Sequence, residues 1–161
     1  MYKHVVLSIS LIFLLAVPAE AVDVEKVSKI LGNLNQSYSW VESYELGKFD
    51  CSTQTATLWH ILKKQNIDSM IVASIYFDKK TNAWKDHIFL IAELDGCVYI
   101  IDATALEIRP PLPYNSGHII TRLYMTPEAA NRAWPGEFIA QDIEPMKITA
   151  PAKPAAKIQK N

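Results

Sequence analysis

The chain has 161 residues, half of them hydrophobic and a fifth charged, which suits one folded domain and excludes wholesale disorder. Sixteen basic and seventeen acidic residues leave a formal net charge of −1. With no basic field along the chain, no nucleic-acid partner is expected.

The N-terminus reads as an export signal. Lys3 and His4 precede an apolar run from Val5 to Val17, and Ala19 and Ala21 supply the small residues that signal peptidase needs. The run is thirteen residues long, short of the roughly twenty of a membrane span. Residues 1–21 are therefore expected to be a signal peptide, cleaved between Ala21 and Val22, with an uncleaved anchor as the alternative. The mature protein is then exported (secreted, periplasmic or cell-surface), with no stable membrane span. Export also leaves Cys51 and Cys97 open to a disulfide.

Val24, Val27, Ile30, Leu31 and Leu34 have helical spacing. The stretch from Asn35 to Lys48 is mixed and aromatic-rich and reads as irregular. Asp50 can cap a following helix that runs to about Lys64. Thr55, Leu58, Trp59 and Leu62 predict one buried stripe on that helix. Lys63 and Lys64 suit the negative end of its dipole.

Met70 to Phe77 predicts a strand, and Asp78 to Lys85 a polar loop. His87 to Leu94 and Cys97 to Asp102 predict two strands joined by Asp95-Gly96, a favoured two-residue hairpin turn. The segment from Arg109 to Asn115 holds three prolines and reads as a loop. His118 to Met125 predicts another strand, Thr126-Pro127 the start of a short helix, and Gly136 to Ile143 a last short strand. The expected domain is 22–148, followed by an Ala/Pro/Lys tail over 149–161 with little to bury. The expected class is α+β, with a nucleophile-bearing helix packed on a mostly antiparallel sheet.

Three residues in this frame carry the chemistry. Cys51 stands in Gly47-Lys48-Phe49-Asp50-Cys51-Ser52, a turn-like stretch opening a helix. Unpaired amides and partial positive charge at a helix start favour thiolate and can line an oxyanion hole. In the hairpin Leu94 pairs with Cys97, so His87 lies opposite Thr104 and Phe89 opposite Asp102. Side-chain alternation then puts His87 and Asp102 on one face as diagonal neighbours, roughly 7–8 Å apart at the backbone. Asp102 would orient the imidazole and stabilise its cation, and His87 would take the thiol proton.

The same register puts Cys97 on the other face, on the order of 25 Å from the His87 end at strand rise. Disulfide Cα atoms must lie within about 7 Å, so a Cys51–His87 contact and a Cys51–Cys97 disulfide exclude each other.

These residues also resemble a known family. Gly47-Lys48-Phe49-Asp50-Cys51, with Ala56, Leu58 and Leu62 on the following helix, is similar to the nucleophile segment of transglutaminase-like proteins. Asn66-Ile67-Asp68-Ser69 to Val72 fits the segment after that helix. Asp86-His87, Asp95-Gly96 and Tyr99-Ile100-Ile101-Asp102-Ala103-Thr104 resemble the family's His strand, hairpin and Asp strand. The match covers roughly Leu46 to Thr104, and it departs from the family where Ile88-Phe89 stands in place of a common Ala-Trp. The resemblance implies a papain-like fold and a cysteine protease, amidase or amide-transferring activity, with Cys51, His87 and Asp102 as the catalytic residues.

Other side chains have bland readings beside sharp ones. His60 reads as an ordinary surface or half-buried residue and His118 as a weaker alternative base. Tyr38, Trp40 and Tyr44 read first as packing, although one of them, or Gln36, could supply a second oxyanion donor or line the cleft. With no C-x-x-C, H-E-x-x-H, EF-hand-like loop or glycine-rich phosphate loop, neither a metal nor a cofactor is implied.

The expected function is an exported, monomeric cysteine peptidase or amidase acting on extracellular peptide, protein or cell-wall peptide. One alternative is a bacteriocin-processing type of papain-like peptidase. That family carries a Gln a few residues before its Cys, whereas Gln36 is fifteen away. The other is a noncatalytic secreted binding module closed by a Cys51–Cys97 disulfide.

Overall fold

The computed structural model describes residues 22–110 and 117–141. The expected signal peptide and the Ala/Pro/Lys tail lie outside the described residues. Within them the fold is α+β, with three helices and a five-stranded sheet whose neighbouring strands all run antiparallel.

Helix α1 spans Val24–Tyr38 and is capped by the Asp23 carboxylate, which accepts from the Lys26 amide. It buries Val27, Ile30, Leu31 and Leu34 at the expected spacing. It runs a turn further than that apolar pattern, because Ser39 adopts the left-handed conformation and its amide donates to Asn35 O at 3.1 Å.

Helix α2 spans Cys51–Lys64. The periodicity predicts a single buried stripe, yet Ser52 through Leu58 are buried without a break. Three of the buried polar side chains donate hydrogen bonds, while Gln54 Oε1 has no partner among the described residues. Thr57 Oγ1 donates to Thr53 O at 2.7 Å, Gln54 Nε2 to Trp40 O at 3.2 Å, and Thr55 Oγ1 to Ile88 O at 3.4 Å.

The strands are β1 (Met70–Asp78), β2 (Ala83–Leu94), β3 (Cys97–Asp102), β4 (Glu107–Arg109) and β5 (His118–Tyr124), in the order β4-β3-β2-β1-β5. Asp95 and Gly96 both take positive φ, 50° and 74°, as the two-residue turn requires. The ladder from Leu94↔Cys97 to Leu90↔Ile101 has the register expected from that turn. Pairing stops there, so His87 and Phe89 have no ladder partner on β3. Strand β2 begins at Ala83 rather than His87, its early part paired wholly with β1.

Two segments near the chain's later half differ from the expectation. Strand β4, not anticipated from the sequence, pairs Glu107–Arg109 with β3; of the expected loop from Arg109 to Asn115, Arg109 ends this strand, Pro110 is irregular and the rest lies outside the described residues. No strand forms over Gly136–Gln141, while 142 and 143 lie outside the described residues. There the Glu137 amide turns back to Trp134 O, and other backbone amides go to side chains instead of a ladder. Gly136 and Phe138 donate to Asn131 Oδ1, and Gln141 donates to Thr57 Oγ1 at 2.9 Å.

Strand alternation separates two apolar layers. One face, with Ile71, Leu90 and Ile101, packs with Leu34, Leu58 and Leu62 of the helices. Val72, Phe89, Ile91 and Ile100 form a smaller cluster on the other. No described helix is long and apolar enough to cross a membrane.

Candidate active site

The site forms where β2 and β3 part. Beyond Leu90↔Ile101, β2 has no neighbour on its β3 side, and the first turns of α2 come alongside it. Thr55 marks the docking by donating to Ile88 O, next to His87. Cys51, the first residue of the helix, is thereby brought close enough to His87 for its thiol to act on the imidazole's charge.

Asp50 sets the helix start. Its Oδ1 accepts from the Ser52 and Thr53 amides at 3.1 and 3.3 Å, and its Oδ2 from Gly47 N at 2.9 Å. The Gln54 amide donates to Asp50 O at 2.8 Å. Of the four amides in the first turn, that of Cys51 has no acceptor among the described residues, and so is available to an incoming oxyanion. The Asp50 charge is absorbed by three amides.

His87 Nε2 meets Asp102 Oδ2 at 2.9 Å, as the shared face predicts. That contact leaves Nδ1 as the ring nitrogen for the thiol. The ring is boxed by Tyr76, Phe89 and His118, with centroids at 6.2, 6.0 and 5.6 Å. Its side chain keeps 17% exposure, while Asp102 keeps only 3%.

Asp102 is both a turn residue and the imidazole's partner. Oδ1 accepts from the Thr104 and Ala105 amides at 3.0 and 3.3 Å, an Asx-type turn that fixes the carboxylate. Oδ2 accepts from Arg109 Nη2 as well as from His87, each at 2.9 Å.

Sequence reasoning missed Arg109. The signal available was alternation across a second short hairpin, in which Ile100 pairs with Arg109 and Asp102 with Glu107.

The charges are mutually supporting. Burial depresses the His87 pKa, but the hydrogen bonds and charges of Asp102 and Cys51 outweigh it and raise the ring to about 9. Burial pushes the Asp102 carboxyl up, and His87, the Ala105 amide and Arg109 together hold it below its ordinary value. His118, beside His87, goes the other way: burial, then the neighbouring His87 and Arg109 cations, lower it. Its Nδ1 lies 3.0 Å from Ser74 Oγ, and Ser74 in turn donates to His87 O at 3.0 Å. The alternative base is thus a neighbour of His87.

The remaining candidates separate cleanly. Trp40 Nε1 is committed to Ala103 O at 2.7 Å, and Gln36 is exposed on α1. Tyr38 lines a separate pocket. Tyr44 is the one that joins Cys51 in lining a groove of about 530 Å³. Burial, then the charges of Cys51 and Asp50, raise the Tyr44 pKa, so its hydroxyl stays protonated and able to donate. His60 is half-buried, 4.0 Å from Glu128.

Cys51 and Cys97 are both free thiols, Cys51 half-buried and Cys97 exposed. Among the described residues no group of three or more His, Cys, Asp or Glu side chains is placed to hold a metal ion. Comparison of the chain with family models, with curated proteins and with solved structures found no match.

Proposed function

We propose that this protein is a thiol acyl-transfer enzyme of transglutaminase-like, papain-like type. It would be an exported cysteine peptidase or amidase acting on peptide or isopeptide bonds. The observation that carries the reading is the Asp102 carboxylate bonded to His87, with the Cys51 thiol close enough to raise that imidazole's pKa. The thiol stands at a helix start whose first amide is available.

The steps follow from these contacts. His87, with its raised pKa, holds the thiol proton, and Cys51 sulfur attacks the carbonyl carbon, forming a C–S bond as the π electrons move to oxygen. The oxyanion is met by the Cys51 amide and the Tyr44 hydroxyl. Its collapse expels the amine, which leaves with the proton from His87 and a thioester at Cys51. Water or a second amine then attacks the thioester, gives its proton to His87, and releases the thiolate. Asp102 keeps Nε2 occupied throughout, so Nδ1 faces the thiol and the cation stays stabilised.

Covalent capture by an electrophilic peptide probe, with the labelled residue identified by mass spectrometry, tests the reading. Label on Cys51, lost when His87 is replaced by Ala in a folded protein, supports it. Label confined to Cys97 overturns it.

A further inference from the structure

The groove at Cys51 has a charge imbalance that catalysis does not use. Cys51, Ala73 and Ile88 line it together with Tyr44, Trp84 and Trp134, so aromatic surfaces from three parts of the chain meet there. Three carboxylates, Asp50, Asp86 and Glu137, share this lining with one ammonium, Lys85. Lys85 is already paired with Asp78 at 2.6 Å. Asp50 is occupied by amides. Asp86 and Glu137 are exposed and form no ion pair among the described residues.

The wall that carries Glu137 is held in place before any ligand arrives. Asn131 binds the Gly136 and Phe138 amides, Trp134 stacks on Phe138 with centroids 5.8 Å apart, and Gln141 is tied to α2 through Thr57.

Unpaired carboxylates beside aromatic faces recognise one kind of side chain. The aliphatic stem of a lysine or arginine lies on the rings, and its cationic head meets both the π face and the carboxylate. An acidic side chain would meet like charge and be rejected. Resting on the acyl-transfer reading above, the geometry points to an acyl donor that is a polypeptide with a lysine or arginine beside the bond under attack. Asp86 and Glu137 act as its specificity determinants.

A peptide ester series that differs only at the residue next to the acyl carbon tests this, with lysine, norleucine or glutamate there. The expected order of kcat/KM is lysine, norleucine, glutamate, with lysine ahead of norleucine on the order of tenfold. The lead should shrink as salt rises. In the Asp86→Asn, Glu137→Gln double variant the lysine-to-norleucine ratio should fall to near one. A wild-type ratio near one, or a ratio that survives in the double variant, overturns the assignment. Binding of the same peptides to Cys51→Ala, read by fluorescence anisotropy, gives the preference without turnover. Failure of every ester to acylate Cys51 therefore counts against the enzyme reading, and absence of a lysine preference in binding counts against this one.

Discussion

The molecule carries two thiols in opposite settings. Cys51 begins a helix whose next seven residues are buried, and its side chain lies beside an imidazole that a buried carboxylate holds in place. Cys97 opens β3 just after the Asp95-Gly96 turn and is exposed. The contrast teaches that a thiol's setting is made by what lies behind the sulfur. Helix docking, a parted strand pair and an Asx turn supply that at Cys51, and a solvated hairpin end supplies none of it at Cys97.

The largest test of the contrast is Cys51→Ala, which should abolish turnover and probe capture because no other described thiol has a base. Substitution His87→Ala should come next, lowering kcat/KM on the order of a thousandfold in the same ester assay. Asp102→Asn should cost roughly a hundredfold. That is less than the roughly ten-thousandfold loss when the orienting carboxylate of a serine triad is neutralised, since a thiol depends less on its base. A loss at Asp102→Asn equal to that at His87→Ala would mean the imidazole is misplaced without its carboxylate.

Solution pH should sharpen the same comparison. His87 is charged up to about 9 in the fold, against an ordinary 6.5. Its contribution to stability is therefore complete below about 6.5 and is lost as pH rises through about 9. Asp102, held below its ordinary 3.8, contributes above that value and loses its contribution as pH falls through its depressed pKa. Chemical denaturation across pH should show the alkaline decline near 9, and kcat/KM should fall over the same range. His87→Ala should remove the alkaline component of stability. The smallest effect belongs to Cys97→Ser, expected to leave kcat/KM within about twofold, as for surface substitutions generally. A collapse of activity there would place the chemistry on the wrong sulfur.

What could be read in advance was whatever local chemistry dictates. An Asp-Gly pair sets a two-residue turn, the turn sets a register, and the register puts His87 and Asp102 on one face. Asp50 as a cap was legible for the same reason. Arg109 was not, because the turn leading to it, Ala103 to Leu106, has no Gly, Pro, Asn or Asp within it, and Leu106 takes a positive φ of 53°. Hydropathy cannot foresee the enclosure of α2 either. Ser52, Thr53, Gln54, Thr55 and Thr57 look like solvent-facing residues, and only the folded chain shows Gln54 and Thr55 donating to the Trp40 and Ile88 carbonyls. Tyr44 stood beside Trp40 and Tyr38 with nothing local to rank them, and only the groove did so.

Trp40 offers a way to watch this assembly. It is fully buried, while Trp84 and Trp134 keep 58% and 36% exposure and Trp59 is half-buried. Its indole bridges to Ala103, the residue after Asp102, and its carbonyl receives Gln54 of α2. A water-soluble collisional quencher such as acrylamide should therefore silence the outer tryptophans first and leave a blue-shifted emission from Trp40. That residual light would dim only when the seam between helix and carboxylate turn opens, giving an optical record of local opening separate from global unfolding.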